Sequence, residues 1–218
     1  MIYKKICRAT FISRPNRFIA EVNLCGKTEI VHVKNTGRCK ELLIPGATVI
    51  LSKTDIPTRK TKYDLIAVYK EGFGLVNIDS QAPNKVVREW LMQQKFDILQ
   101  AEYIYGESRL DFYLKRGNRN ILIEVKGCTL EIDGIGYFPD APTQRGTKHL
   151  RELTRAALSG YECYIAFVIQ MSGVLKVLPN VMTDPAFAKA LDEARNAGVK
   201  VLYLQCDVTE NEIKISQS

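Results

Sequence analysis

Apolar and polar positions follow two different periods along this chain, and the change falls after Asn77. Before it, residues 18–24 alternate, Gly26-Lys27 reads as a turn, and residues 28–33 alternate again with Ile30, Val31 and Val33. Asn35-Thr36-Gly37-Arg38 and Pro45-Gly46 punctuate the next stretch, and two further strands are expected at 48–52 and 65–69. Short strands, frequent turns and little helix predict a small barrel. The OB type fits the size, and an SH3-like barrel fits the pattern equally. After Asn77, Val86, Val87, Trp90 and Leu91 recur at helical spacing. Strands are expected at 98–105, 109–115 and 120–128, then a Gly/Pro-containing loop at 129–142. Thr143 opens a helix to about residue 159, which Gly160 stops. Residues 161–170 form an apolar run, as in a strand covered on both faces. Asp184 caps a last helix with Pro185 at its first position, Gly198 ends it, and a strand follows at 199–206. The expected organisation is an OB-like domain over 1–80 and an α-β-β-β-α-β-α-β domain over 81–218.

Charge separates the two. Residues 1–80 hold 14 Lys/Arg against 7 Asp/Glu, and residues 81–218 hold 17 against 17, so the net +7 of the 218 residues lies wholly in the first domain. A basic module beside a neutral one suits a polyanionic partner, with nucleic acid the leading candidate and solubility charge the plain alternative. No apolar run of about 18 residues predicts a spanning helix. The start lacks the apolar stretch of a secretory signal. Six scattered cysteines form no C-x-x-C, and His32 and His149 complete no zinc spacing. Reduced thiols in a cytoplasmic protein are expected.

The chemistry concentrates on one hairpin. Gly117-Asn118 between the strands at 109–115 and 120–128 sets Tyr113 opposite Leu122, Asp111 opposite Glu124, and Arg109 opposite Lys126. Strand alternation then projects Asp111, Glu124 and Lys126 from one face. Leu110, Phe112, Leu114, Ile121, Ile123 and Val125 project from the other. Opposed carboxylates repel unless a positive group lies between them. A divalent cation resolves the conflict, and Mg²⁺ takes one or two carboxylates while keeping water and phosphate in its other positions. Lys126 would steer a metal-bound water or hold the phosphate. The alternative is a solvated face on which Arg109 and Lys126 neutralise the acids. On the following helix Arg145, Lys148 and Glu152 share a polar stripe, and Leu150, Leu153, Ala157 and Leu158 an apolar one. Those cations would hold a scissile phosphate, or simply form a solvated helix face. His149 reads as readily as a hydrogen-bonding histidine as a catalytic one.

Asp111 followed by Glu124-Val125-Lys126 in this order of elements resembles the PD-(D/E)XK nuclease superfamily, although Leu110 stands where its motif has proline. The longer strings at residues 14–18, 32–38, 41–46, 108–112, 124–130, 138–141 and 145–153 resemble the sugar fermentation stimulation protein A family over almost the whole chain. The resemblance implies an N-terminal OB-fold and a C-terminal restriction-endonuclease-like α/β domain, DNA binding, and nuclease activity on DNA or RNA. It implies a divalent cofactor, Mg²⁺ or Mn²⁺, held by Asp111, Glu124 and the carbonyl of Val125. It also implies help from a first-helix glutamate, for which Glu89 is placed, with Glu102 a weaker choice. Lys126, Arg145 and Lys148 complete the catalytic set. In the first domain Lys34, Asn35, Arg38 and Lys40 form the densest polar-basic cluster, suited to a phosphate backbone, with Phe18 or Tyr69 as stacking platforms. Alternatively Asn35 and Arg38 face the second domain and pin the cleft between the two.

Two other functions stay open on the sequence. One is a DNA-binding transcriptional regulator of sugar (maltose) metabolism that does not cut, although no helix-turn-helix is visible. The other is a protein-interaction role for the OB-fold. No obligate protein partner is evident, and a homodimer is among the open states.

Overall fold

A computed structural model describes residues 1–216 apart from Thr36 and Pro57. The first strand, β1 (Ile6–Asn16), is one that alternation does not announce. Arg8, Thr10, Ser13 and Arg14 interrupt it, and only Ala9 and Phe11 are buried along its length. β1 pairs antiparallel with β2 (Ile19–Leu24) and β4 (Thr48–Lys53). β3 (Lys27–Val33) pairs with β2, and β5 (Tyr63–Lys70) with β4. β3 then meets β5 in parallel at Val33 and Leu65, which closes a five-stranded OB-like barrel. Its interior holds Phe11, Ala20, Val22, Val31, Val49, Leu51 and Leu65. β6 (Gly74–Asn77) lies on β5, outside the closure.

The second domain is an α/β sandwich. α1 (Ala82–Met92) precedes β7 (Ile98–Tyr105), β8 (Ser108–Arg116) and β9 (Arg119–Cys128). α2 (Gln144–Leu158) and α3 (Pro185–Asn196) start on side-chain caps: Thr143 accepts the Gly146 amide and Asp184 the Phe187 amide. Strand numbering continues chain-wise through β10 (Leu130–Ile132), β11 (Ile135–Phe138), β12 (Glu162–Ile169), β13 (Val177–Pro179), β14 (Lys200–Val208) and β15 (Ile213–Ile215). The main sheet runs β15-β14-β12-β9-β8-β7, with β9, β12 and β14 parallel. α1 covers one face, where Val86, Val87 and Leu91 meet Phe112, Ile123 and Val125. α2 and α3 cover the other, where Leu150, Leu153 and Phe187 meet Leu122, Ile165 and Phe167. β12 is buried on both sides, which explains its unbroken apolar run.

Three expectations need correction. The stretch 129–142 is not simply a loop, because β10 and β11 form a hairpin there and β11 pairs with β13. Its turn is Asp133-Gly134 with φ of 52° and 79°, the left-handed pair that a two-residue hairpin needs. The β8–β9 register is as expected from Arg116↔Arg119 to Phe112↔Ile123, but the ladder ends there. Asp111 and Glu124, like Arg109 and Lys126, are therefore not ladder partners. The alternation also fails at this point: Leu110 packs with Leu122 and Leu150, on the side opposite Phe112. Glu102 sits in the gap between the Ala101↔Phe112 and Tyr103↔Leu110 pairs, with φ of 56°.

The domains are joined by more than a linker. The Asn77 amide donates to the Gln170 carbonyl at 2.9 Å, and Val76 bridges Met171. Gln170 Nε2 donates to Asn77 Oδ1 at 3.0 Å and to the Asp79 carbonyl at 3.1 Å, and all three residues are buried. Residues at the N-terminus also cross over, since the Tyr3 amide donates to the Asn211 carbonyl. At the far end of β12, Glu162 accepts from the Tyr164 hydroxyl, Arg119 Nε (2.8 Å) and Lys200 Nζ (3.0 Å). The tyrosine bond and the two cations pull its carboxyl down to about 2. Because the folded value lies below the unfolded one, Glu162 stabilises the fold above about pH 4.5 and loses that contribution as pH falls toward 2. Glu162→Gln should thus cost about 1 kcal/mol at pH 7, screened by water around the cations, and nothing below pH 2. Urea titrations of both chains across that pH range test this.

Candidate metal and phosphate site

Glu124 is the deepest of the expected acids, 2% exposed in the middle of β9. Its Oε1 accepts from Lys126 Nζ at 2.5 Å and from the Nδ1–H of His149 on α2. Arg145 Nε donates to the other ring nitrogen of His149 at 3.4 Å, so the imidazole proton sits on Nδ1. Glu124 Oε2 is buried with no hydrogen-bond partner. A bare carboxylate oxygen in the interior costs free energy unless something positive meets it. Asp111, half-buried on β8, lies beside it. Its Oδ2 accepts the Val125 amide at 2.7 Å, and its Oδ1 accepts Asn84 Nδ2 of α1 at 2.7 Å. Each Asp111 oxygen still has a lone pair free.

The two acids are held differently. Burial first, and then the Glu124 charge, push the Asp111 carboxyl above the usual range, against the pull of the Val125 amide and Lys126. Burial also pushes Glu124 up, but Lys126 and His149 outweigh it and its carboxyl lies below the usual range. Among the described residues no three His, Cys, Asp or Glu side chains are grouped so that together they could hold a metal ion. The hard donors brought together here are two carboxylates beside Val125. That set suits Mg²⁺ or Mn²⁺ rather than zinc.

A cleft of about 130 Å³ opens beside these residues, lined by Asn35 and Ser80 of the first domain and by Asn84, Val125, Gly127 and Asp140 of the second. A Cβ on Gly127 would stand 2.3 Å from Gln170 Oε1 and 2.8 Å from Pro83 Cγ, so only glycine leaves this wall in place.

Several expected residues lie elsewhere. Glu89 faces away and binds the Met1 ammonium at 2.7 Å, because its side of α1 is turned toward β15 and not toward Asp111. Glu102 pairs with exposed Arg109 on the sheet edge. Lys148 leaves the site to bind the Glu107 carbonyl at 3.1 Å. Lys34 turns inward between Asp64 (3.5 Å) and Asp79 (3.4 Å), which removes it from any backbone-tracking surface. Asn35 donates to the Ile78 carbonyl and accepts the Gly37 amide. The Arg38 amide donates to Asp140 Oδ2 at 3.1 Å, so this segment does face the second domain, while the Arg38 and Lys40 side chains stay exposed. Tyr69 is engaged with Glu210 and has Arg8 over its ring, and Phe18 is exposed with Arg17 over its ring.

Four residues now belong to the site without having been assigned to it: His149, Asn84, Gln170 and Asp140. His149 was readable in part, since it lies four positions from Leu153 on the inward side of α2.

Comparison with known proteins bears on the fold and the family. Residues 81–212 match the family model described as the sugar fermentation stimulation protein RE domain, and residues 12–78 match the SfsA N-terminal OB domain. The sugar fermentation stimulation protein homolog of Desulfitobacterium hafniense (strain DSM 10664 / DCB-2) is 55% identical over 217 residues, covering 98% of this chain and 95% of the relative. The homolog of Clostridium beijerinckii is 50% identical over 219 residues, covering 99% and 96%. Among solved structures, Pyrococcus furiosus SfsA in complex with Ca²⁺ superimposes with a TM-score of 0.86 at 29% identity, covering 99% of this chain and 95% of that one. Both domain matches and the near full-length identity lead to one conclusion: the chain belongs to the sugar fermentation stimulation protein (SfsA) family.

Proposed function

We propose that the chain is a divalent-metal-dependent nuclease that hydrolyses phosphodiester bonds of DNA or RNA. The observation that carries this reading is the unpartnered, buried Glu124 Oε2 beside Asp111, with the Lys126 ammonium next to both. That the Pyrococcus relative was solved in complex with Ca²⁺ supports divalent-ion binding by a chain of this fold. Asp111 and Glu124 would hold the ion, with the Val125 carbonyl as a third oxygen. The ion would supply positive charge for the phosphoryl oxygens and lower the pKa of a bound water.

The chain's own residues have separate tasks. Asn84 and the Val125 amide orient Asp111. His149, backed by Arg145, orients Glu124 and keeps Oε2 pointing free. Lys126 carries donors for a phosphate oxygen as negative charge builds on phosphorus. Gly127 leaves space at the wall for the phosphate to approach. Water adds to phosphorus, the bond to one sugar oxygen breaks, and that oxygen leaves with a proton.

A second reading is a nucleic-acid-binding regulator that does not cut, favoured by the exposed Arg38 and Lys40 on a domain that holds the whole charge surplus. Incubating the purified chain with single- and double-stranded DNA and RNA, in Mg²⁺, Mn²⁺ or EDTA, separates the two. Cleavage with metal and none in EDTA supports the nuclease. Binding without cleavage under every metal supports the regulator.

A further inference from the structure

We infer that the nucleic acid taken by this chain is a single strand, led from a basic groove on the barrel into the carboxylate cleft past Gly37. The inference rests on the nuclease reading only for what happens at the end of that path.

The groove encloses about 350 Å³, and Arg17, Gly37, Arg38 and Lys40 line it. Among the described residues no acid lies within ion-pair distance of the Arg17, Arg38 or Lys40 side chains. Arg14 also lines the groove but is already committed: its guanidinium donates to the carbonyls of Arg17, Asn35, Gly37 and Arg38 at 2.6–2.9 Å. It braces the segment that presents Arg38. Phe18 is 47% exposed with the Arg17 guanidinium over its ring at 5.1 Å from the centre, which brings a planar group and a cation to one place where a base can exchange with the guanidinium and leave it to the phosphate.

Gly37 links groove and cleft. It lines the first, and a Cβ there would stand 2.4 Å from Asp140 Oδ2, an atom of the cleft wall. The route therefore passes from exposed cations, over a backbone seam, to Asn84 and Val125 at the carboxylates. The cleft's volume suits a phosphate group and not a base pair, and its walls are pinned by the Arg38–Asp140 and Gln170–Asp79 bonds. Glu124 lies beneath that surface. A duplex is stiff over about 150 base pairs, so following this turning path into a recess sized for one phosphate costs it bending energy and base pairing. A single strand bends at every nucleotide.

The test uses the full chain in EDTA, with fluorescence anisotropy on labelled 15-mers: single-stranded DNA, single-stranded RNA, and the blunt duplex of each. Single strands are expected to bind at least about tenfold tighter than either duplex, with affinity falling as salt rises. Arg38→Glu and Lys40→Glu should each weaken single-strand binding about tenfold and flatten the salt slope by about one unit, with an unchanged melting temperature. Phe18→Ala should weaken binding with the slope unchanged. Equal or tighter duplex binding, no binding at all, or indifference to both charge reversals overturns the route. The DNA and RNA arms identify the sugar. Adding Mg²⁺ keeps the two readings apart: a chain that binds single strands and never cuts keeps the route and sinks the nuclease, while preferential cutting of duplex does the reverse.

Discussion

Glu124→Gln is expected to lower metal-dependent cleavage about a thousandfold while the chain still folds. The glutamine keeps an oxygen to accept from His149, so α2 stays docked on β9. What disappears is the anionic Oε2, the buried oxygen that has no hydrogen-bond partner in the chain. Calorimetric titration with Mn²⁺ should show the binding isotherm vanish together with the activity. Wild-type cleavage rates in Glu124→Gln would overturn the nuclease reading. His149→Ala gives a graded counterpart, because it frees Glu124 to rotate without removing its charge. Metal affinity should drop about 10–100-fold, and His149→Asn should recover part of it by restoring a donor near Nδ1.

Gly127→Ala is expected to cost about 1–3 kcal/mol through overpacking. At about 2–4 °C of melting temperature per kcal/mol for a chain of this size, calorimetry resolves that loss easily. The new methyl meets Gln170 and Pro83 at distances that real Cβ atoms do not tolerate, and Gln170 cannot retreat without breaking its bonds to Asn77 and Asp79. The variant should therefore weaken the joint between the domains as well as block the cleft. Gln170→Ala alone should also destabilise, by removing three buried hydrogen bonds to Asn77 and Asp79. The double variant should be milder than the sum, because truncating Gln170 makes room for the methyl. Strict additivity would show that the steric account of Gly127 is wrong.

How far the sequence could be read depended on how local the cause was. Thr143 and Asp184 cap helices within three residues of themselves, and both were legible. The Gly117-Asn118 turn set the β8–β9 register correctly as far as Phe112, because the turn alone decides it there. Beyond Phe112 the two strands part, since the Asp111 carboxylate takes the Val125 amide instead of remaining a face-on neighbour of Glu124. No pairing rule contains that side-chain bond. Asp133-Gly134 was a readable hairpin signal, yet its strands are so short that the Gly/Pro content of the segment dominated. Glu89 and Lys148 failed for a different reason. Helical spacing shows which residues share a stripe, but docking decides which stripe faces the sheet. α1 turned Asn84 inward in place of Glu89, and α2 turned His149 inward in place of Lys148. Alternation likewise hid β1, whose outward residues are mixed and whose buried ones number only two.

The φ of 56° at Glu102 has a meaning beyond the break it makes opposite Asp111. β7 is the last strand of the six-stranded sheet, and its outer side, with Ile98 and Ile104 exposed, offers unpaired backbone to any passing chain. Such an edge invites strand addition and aggregation. The left-handed residue breaks the regular pairing at the middle of the strand, and the Glu102–Arg109 pair sets charges there, so a strand added along this edge would lose its register at Glu102. The irregularity that parts the strands near the carboxylates thus also interrupts the edge on which another strand could add.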